Sequence, residues 1–220
     1  MLMCLEGLDA AGKNSQAKRL VEKFDSIGRN AVVLSFPRYE TTVGNAIRRH
    51  LHSELMLTVF ENMDGHLVPR QAPAPEDPLA FQCLMLADKM DAALDIEAHI
   101  YAGRVVICDR WTPSAICFGE ADGVDAHWLQ RVQEVLPHPS LHVFIDVPED
   151  EALRRRPTMR DRYEKDREKQ KVIRQNYKTL WEAGAEDDPE EWVTVDGVGT
   201  VEEVTERIWK HVLVALGVEA

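Results

Sequence analysis

Short apolar runs alternate along the chain with stretches of helical period. Residues 2–5 form an apolar run that ends in a glycine-rich turn. Residues 15–27 follow with Ala17, Leu20, Val21 and Phe24 at helical spacing, closed by Gly28. Residues 31–35 predict a second buried strand, and Val43, Ile47 and Leu51, four residues apart, predict a helix over 43–51. The segment 61–78 holds four prolines and little periodicity, which reads as a long loop inside an insertion spanning about 57–78. Over 79–101 the positions Leu79, Cys83, Leu86, Ala87, Met90, Leu94 and Ala98 make one apolar stripe, ended by Gly103. Residues 105–108 and 142–146 are further buried-strand runs, with 192–195 a weaker fifth, and helices are expected over 125–136, 163–183 and 201–216. Strands alternating with helices, several of them continuously apolar, predict an α/β fold with a parallel sheet covered on both faces.

Composition narrows the class. A chain of 220 residues with 45% apolar and 29% charged residues fits one globular domain. A net charge of -12 disfavours non-specific binding to nucleic acid or anionic membrane, so any anion site must be local. No apolar run approaches the roughly 18 residues of a membrane span, and no secretory leader is visible, so a cytoplasmic location is expected. Cys4, Cys83, Cys108 and Cys117 are widely spaced without a CxxC pair and read as reduced core thiols.

The sharpest motif is GLDAAGKNS over 7–15, lying between the first strand and the first helix. Such a loop turns successive N–H groups toward a phosphate chain, the helix N-terminus adds positive potential, and the lysine reaches the outer phosphates. Gly7, Ala10, Ala11, Gly12, Lys13, Asn14 and Ser15 are therefore candidate nucleotide contacts. Asn14 stands where a Mg²⁺-ligating hydroxyl is usual, and its amide oxygen can ligate the ion or hold one of its waters. The run VVICDR over 105–110 presents Asp109 and Arg110 at the carboxyl end of a strand, the edge where open parallel sheets bind ligands. Asp109 is a Mg²⁺ candidate and Arg110 a phosphate clamp. Phe36-Pro37-Arg38-Tyr39 ends the second strand on the same edge, with Arg38 as a candidate for a second phosphate. Arg154, Arg155, Arg156, Arg160 and Arg162 form a basic run in an acidic chain, read as a lid whose cations supply what Ala10 and Ala11 do not. Phe81, Met85 and Lys89 lie four residues apart and share a helix face, which either packs or lines a base pocket. In the second case Lys89, a donor only, calls for a base carbonyl such as O4 of thymine or uracil.

The segments EGLDAAGKNSQ, SFPRYETTVGNAIRRHL, ADK, VVICDRWTPSA and RDRYEKD, in this order, resemble the thymidylate kinases among the nucleoside-monophosphate kinases, and WVTVDG extends the likeness toward the end of the chain. The resemblance implies a P-loop NTPase-type three-layer sandwich. A five-stranded parallel sheet would carry helices on both faces and an arginine-rich lid at about 148–162, in a single domain over 1–220. It implies transfer of the ATP γ-phosphoryl to dTMP, or to dUMP and its 5-substituted forms, with Mg²⁺, in a homodimer whose other partners are small nucleotides. Carried over by position, Asp9 contacts the acceptor sugar or the metal environment, Arg38 and Arg110 the acceptor phosphate, and Lys13 the donor phosphates. Phe118 bars a 2'-hydroxyl, and Asp161 and Tyr163 match an acidic-aromatic pair after the lid. Phe36, Tyr39 and Ser114 join the substrate set, while Arg154, Arg156 and Arg160 are the lid candidates for catalysis. The sequence departs from the family at Asn14, at Met85 where a Phe stacks on thymine, and at Lys89 where an Arg bonds O4. Two other readings remain open here: a polyphosphate-dependent kinase, whose P-loops also carry DAAGK, and a nucleotide-binding module that has lost its chemistry.

Overall fold

A computed structural model describes residues 1–63, 66–73, 77–155 and 162–218. The elements run β1 (Leu2–Glu6), α1 (Lys13–Ser26), β2 (Ala31–Ser35), α2 (Thr42–Leu51), β3 (Met56–Met63), β4 (His66–Pro73) and α3 (Pro78–Tyr101). They continue with β5 (Val105–Asp109), α4 (Thr112–Ala121), α5 (Ala126–Gln133), β6 (Leu141–Asp146), α6 (Glu149–Arg155), α7 (Arg162–Lys165), α8 (Arg167–Asp187), β7 (Trp192–Asp196) and α9 (Val201–Ala215).

The five apolar runs pair as one sheet in the order β2-β5-β1-β6-β7, parallel throughout. Continuous hydrophobicity follows from burial on both faces. Met3 and Leu5 of β1 pack with Leu20 and Phe24 of α1 and Ile208 and Val212 of α9. Leu2 and Cys4 point the other way, toward Ile96 of α3 and Trp111. The carboxyl ends of β1, β2 and β5 therefore open on one edge, and the loops after them carry the three motifs read from sequence.

Several expectations are corrected. The expected loop over 61–78 is strand through Met63 and from His66 to Pro73: β3 and β4 pair antiparallel from Met56↔Pro73 to Met63↔His66. Its sequence signals are the β-favouring run MLTVF and the Asp-Gly dipeptide at 64–65. Pro69 and Pro73 obscure the pattern, but each strand of a two-stranded ribbon is an edge and tolerates a missing N–H. Helix 163–183 is broken into α7 and α8 at Asp166, whose carboxylate accepts from the Lys169 amide at 3.0 Å and starts a new helix. Helices α4 and α6 lie where periodicity announces none. In α4 Pro113, Ser114, Ala115, Ile116, Cys117 and Gly119 are all buried, so no polar face marks the period.

The stripe on α3 is also turned around. An apolar stripe by default meets its own core, yet Leu79, Cys83, Met90 and Leu94 are exposed, while Phe81, Gln82, Asp88, Lys89, Ala92 and Ile96 are the buried face. Cys83 is therefore no core thiol, unlike the buried Cys4, Cys108 and Cys117. Asp77 fixes the rotation of this helix at its start by accepting from the Leu79 and Ala80 amides, with Pro78 in the first turn.

Candidate active site

Two backbone positions make the phosphate loop. Gly7 has φ +140°, and a Cβ there would lie 2.7 Å from the Ile145 carbonyl oxygen. Gly12 has φ +95° and stands at the N-cap of α1, whose first amides open into the cleft. Lys13 is buried in the turn it creates, donating to the carbonyls of Gly7 at 3.1 Å and Leu8 at 2.8 Å. Burial, reinforced by the nearby Arg110 charge, lowers its ammonium to about 8. An anion at the loop reverses that shift by supplying the missing countercharge.

The loop opens into a cleft of about 1040 Å³ lined by residues 9–16, 33–40, Asp109, Arg110, Arg155, Gly197 and the start of α9. A smaller cavity of about 80 Å³ adjoins it, lined by Leu51, Phe81, Gln82, Met85, Ser114, Phe118 and Tyr163 together with Asp9, Pro37, Tyr39 and Arg110. The last four residues line both spaces. Arg110 is their hinge. Its backbone has φ +70°, and its guanidinium donates to Asp9 at 2.7 Å and to Ser114 at 3.1 Å while lying 4.8 Å from the Phe118 ring centroid. Burial opposes its charge, but Asp9, Tyr177 and Glu6 outweigh that cost and raise its pKa. Glu6 is fully buried and accepts from the Trp111 amide, the Ser114 hydroxyl and the Tyr177 hydroxyl. It holds the far side of the Arg110 loop, a role that sequence reasoning missed. A carboxylate closing the apolar run LMCLE was the signal.

Arg38 lines the large cleft and is tied to α3 by several bonds. Its Nε donates to Asp88 at 3.1 Å, one Nη donates to the Asp88 carbonyl at 2.8 Å and to Asp91 at 2.6 Å, and its own amide donates to Asp88 at 2.9 Å. These bonds tie Arg38 to α3, while its side chain also lines the large cleft. The two aspartates lie fifty residues away in sequence, so no local pattern reveals the pairing. Close packing secures the same loop: a Cβ on Gly44 of α2 would sit 1.8 Å from the Arg38 carbonyl oxygen. Phe36 is buried against Trp111, with ring centroids 4.9 Å apart, whereas Tyr39 is exposed at the junction of the two cavities.

On the acceptor side, Phe81 and Met85 line the small cavity as expected. Lys89 does not; its Nζ is buried, without a hydrogen-bond partner among the described residues, in the fields of Glu6, Asp88 and Arg110. Burial lowers it to about 8. Gln82 does line the cavity, and its buried Oε1 has no partner among the described residues. It sits one position off the 81-85-89 stripe and so escaped notice. Phe118 and Tyr163 meet edge to face at 5.2 Å, and the Tyr163 hydroxyl bonds to Asp122.

The basic run divides. Arg154 is exposed, is held by Glu151 at 2.8 and 2.9 Å, and does not line the cleft. Arg155, read from sequence as one of the lid arginines, lines the cleft and donates to the Gly197 carbonyl at 2.8 Å. Arg156, Arg160 and Asp161 lie outside the described residues. Asp109, Asn14 and Ser15 face the large cleft and supply only oxygen ligands, a donor set suited to a hard cation such as Mg²⁺.

The chain is similar over most of its length to known thymidylate kinases. A probable thymidylate kinase of Pyrococcus abyssi is 32% identical over 218 residues, covering 96% of this chain and 97% of the relative. The probable thymidylate kinase of Pyrococcus horikoshii is 33% identical over 182 residues, 81% of each chain. A solved thymidylate kinase from Candida albicans superposes with a TM-score of 0.76 over 98% of this chain and 92% of its own, at 21% identity, and so shares the fold. The thymidylate kinase family profile matches residues 5–208, and the chain belongs to that family of ATP-dependent phosphotransferases.

Proposed function

We propose that this chain transfers the γ-phosphoryl group of ATP to thymidine monophosphate, with the donor in the large cleft and the acceptor nucleoside in the small cavity. The observation that carries this reading is the junction: Asp9, Tyr39 and Arg110 border both spaces, so a phosphoryl passing between them crosses the Arg110 guanidinium. The acceptor phosphate is already ionised and needs no general base. The obstacle is repulsion between two anions, and preorganised cations remove it.

Lys13 and the amides at the start of α1 hold the donor phosphates. Arg110, anchored by Asp9, grips the group in flight. Arg155 approaches the same cleft from α6, and the arginines at 156 and 160 are proposed as its lid companions. Phe81, Met85 and Phe118 enclose the acceptor base and sugar, and Gln82 offers them an amide. Asp109, with Asn14 and Ser15, would hold Mg²⁺, which when bound neutralises phosphate charge. The same pocket is proposed to admit dUMP and 5-substituted dUMP.

The outward apolar face of α3 supports a homodimer, since Leu94 is 76% exposed and Met90 51% exposed on a helix whose opposite face is buried. Light scattering should find a dimeric wild type and a monomeric Leu94→Glu. No helix among the described residues is long and apolar enough to cross a membrane, and we place the protein in the cytoplasm on its unpaired cysteines.

A coupled ADP-release assay with ATP and each deoxynucleoside monophosphate tests the activity. Turnover is expected with dTMP and Mg²⁺ and should fall about a thousandfold in Lys13→Ala. Equal turnover with polyphosphate in place of ATP, or none with dTMP, would overturn the reading.

A further inference from the structure

At the opposite edge of the sheet, where the strands begin, three side chains converge that phosphoryl transfer does not use. His142 is the second residue of β6, Glu191 immediately precedes β7, and His138 lies in the loop leading to β6. The His142 Nδ1 is 3.3 Å from Glu191 Oε1, and the His138 Nδ1 is 3.5 Å from the same oxygen. All three ligand atoms lie within 4.8 Å of one another.

Two of these atoms are stranded. His142 is 1% exposed, and neither its Nδ1 nor Glu191 Oε1 has a hydrogen-bond partner among the described residues, although they face each other. Two buried polar atoms without partners are costly.

We propose that His138, His142 and Glu191 form a binding site for a divalent transition metal of the zinc class. Neutral imidazole nitrogen and carboxylate oxygen are its standard ligands, three from the protein with a fourth position for water. A tetrahedral zinc with bonds of about 2.0–2.1 Å holds its ligand atoms roughly 3.3–3.4 Å apart. Both spacings to Glu191 are already close to that length. The one adjustment needed is a small inward swing of His138, whose side chain is 75% exposed and free to turn.

The surroundings hold the buried ligand in place. The His142 ring stacks on Trp192 with centroids 3.9 Å apart and planes 4° from parallel. Trp192 in turn packs against Gly184 of α8, where a Cβ would lie 2.4 Å from the indole. The backbone adds a further tie, as the His142 amide donates to the Glu191 carbonyl at 2.7 Å. A metal here would bind the loop before β6 to the start of β7, the edge strand of the sheet. It serves as a structural staple remote from the phosphate edge.

The test uses full-length protein stripped with EDTA and titrated with CoCl₂ and ZnCl₂. Wild type should bind one Co²⁺ with the strong visible bands of tetrahedral coordination. Cobalt held by oxygen ligands in the phosphate cleft is octahedral and nearly colourless, so the two sites are told apart. Zinc should displace the cobalt and raise the Tm. His138→Ala and Glu191→Gln should lose the bands and bind at least about tenfold more weakly, since even outer-sphere partners of a metal contribute that much. Kinase turnover and the far-ultraviolet spectrum of both variants should match wild type, which establishes that they fold. Absence of tetrahedral bands in wild type, or equal bands and affinity in the two variants, would overturn the site.

Discussion

Two arginines follow the carboxyl ends of neighbouring strands on the ligand edge, and the chain uses them in opposite ways. Arg110, after β5, has one carboxylate on its guanidinium among the described residues, Asp9, and borders both cavities. Arg38, after β2, is gripped by Asp88 and Asp91 and welds the β2 loop to α3. Position at a strand end thus selects a residue for the site without assigning its task. The number of carboxylates that reach it decides whether the charge is left for a ligand.

The comparison is broken most decisively by exchanging the effects of the two arginines. Arg110→Ala is expected to lower kcat/KM by about a thousandfold, as loss of a transition-state cation does. Steady-state kinetics checks it, and a loss of only a few fold would place Arg110 with Arg38 as scaffold. Arg38→Met should act on stability instead, by about 3 kcal/mol, because it leaves Asp88 buried and unpaired. Chemical denaturation should show that loss, with much of it recovered in Arg38→Met/Asp88→Asn. The surviving folded enzyme should keep kcat within tenfold.

Lys89 sharpens the contrast as a buried cation next in sequence to Asp88 but without a hydrogen-bond partner among the described residues. Its folded pKa is lowered to about 8 from an ordinary 10.5. Between those values the unfolded chain binds more protons than the folded one, so this group's contribution to stability rises with pH across that window. Lys89→Met should therefore stabilise the protein at pH 7 by a few kcal/mol (on the order of the shift converted at ~1.4 per unit), an advantage that shrinks toward pH 10.5. Denaturation midpoints from pH 7 to 10 measure it; a pH-independent difference would refute the assignment. The smallest effect concerns the lid helix. Arg155→Ala, facing the cleft, should cost about tenfold in kcat/KM, whereas Arg154→Ala, at an exposed side chain paired with Glu151, should stay within twofold. Reversal of that order would mean that α6 rotates when nucleotide binds.

Local chemistry explains why so much was legible beforehand. Gly7, Gly12 and Lys13 act within one turn of chain, and the backbone angles they permit are properties of the residues themselves. β1, β5 and β6 were legible because a strand buried on both faces runs apolar along its length, whereas β7, an edge strand with alternating burial, gave a weaker signal. The hairpin of β3 and β4 was hidden by prolines tolerable only on ribbon edges, and α4 by burial all round.

What only the tertiary structure decided are the relations between distant residues. The period of α3 showed that the helix has an apolar face, but not that this face would look outward while Gln82, Asp88 and Lys89 look in. Glu6 meets Tyr177 across 171 positions, Arg38 meets Asp88 across 50, and His142 meets Glu191 only when β6 and β7 lie side by side. The physical reason is one of range. Periodicity and turn chemistry act over a few residues and belong to the sequence, whereas the partner of a buried charge is set by which elements the folded sheet brings together.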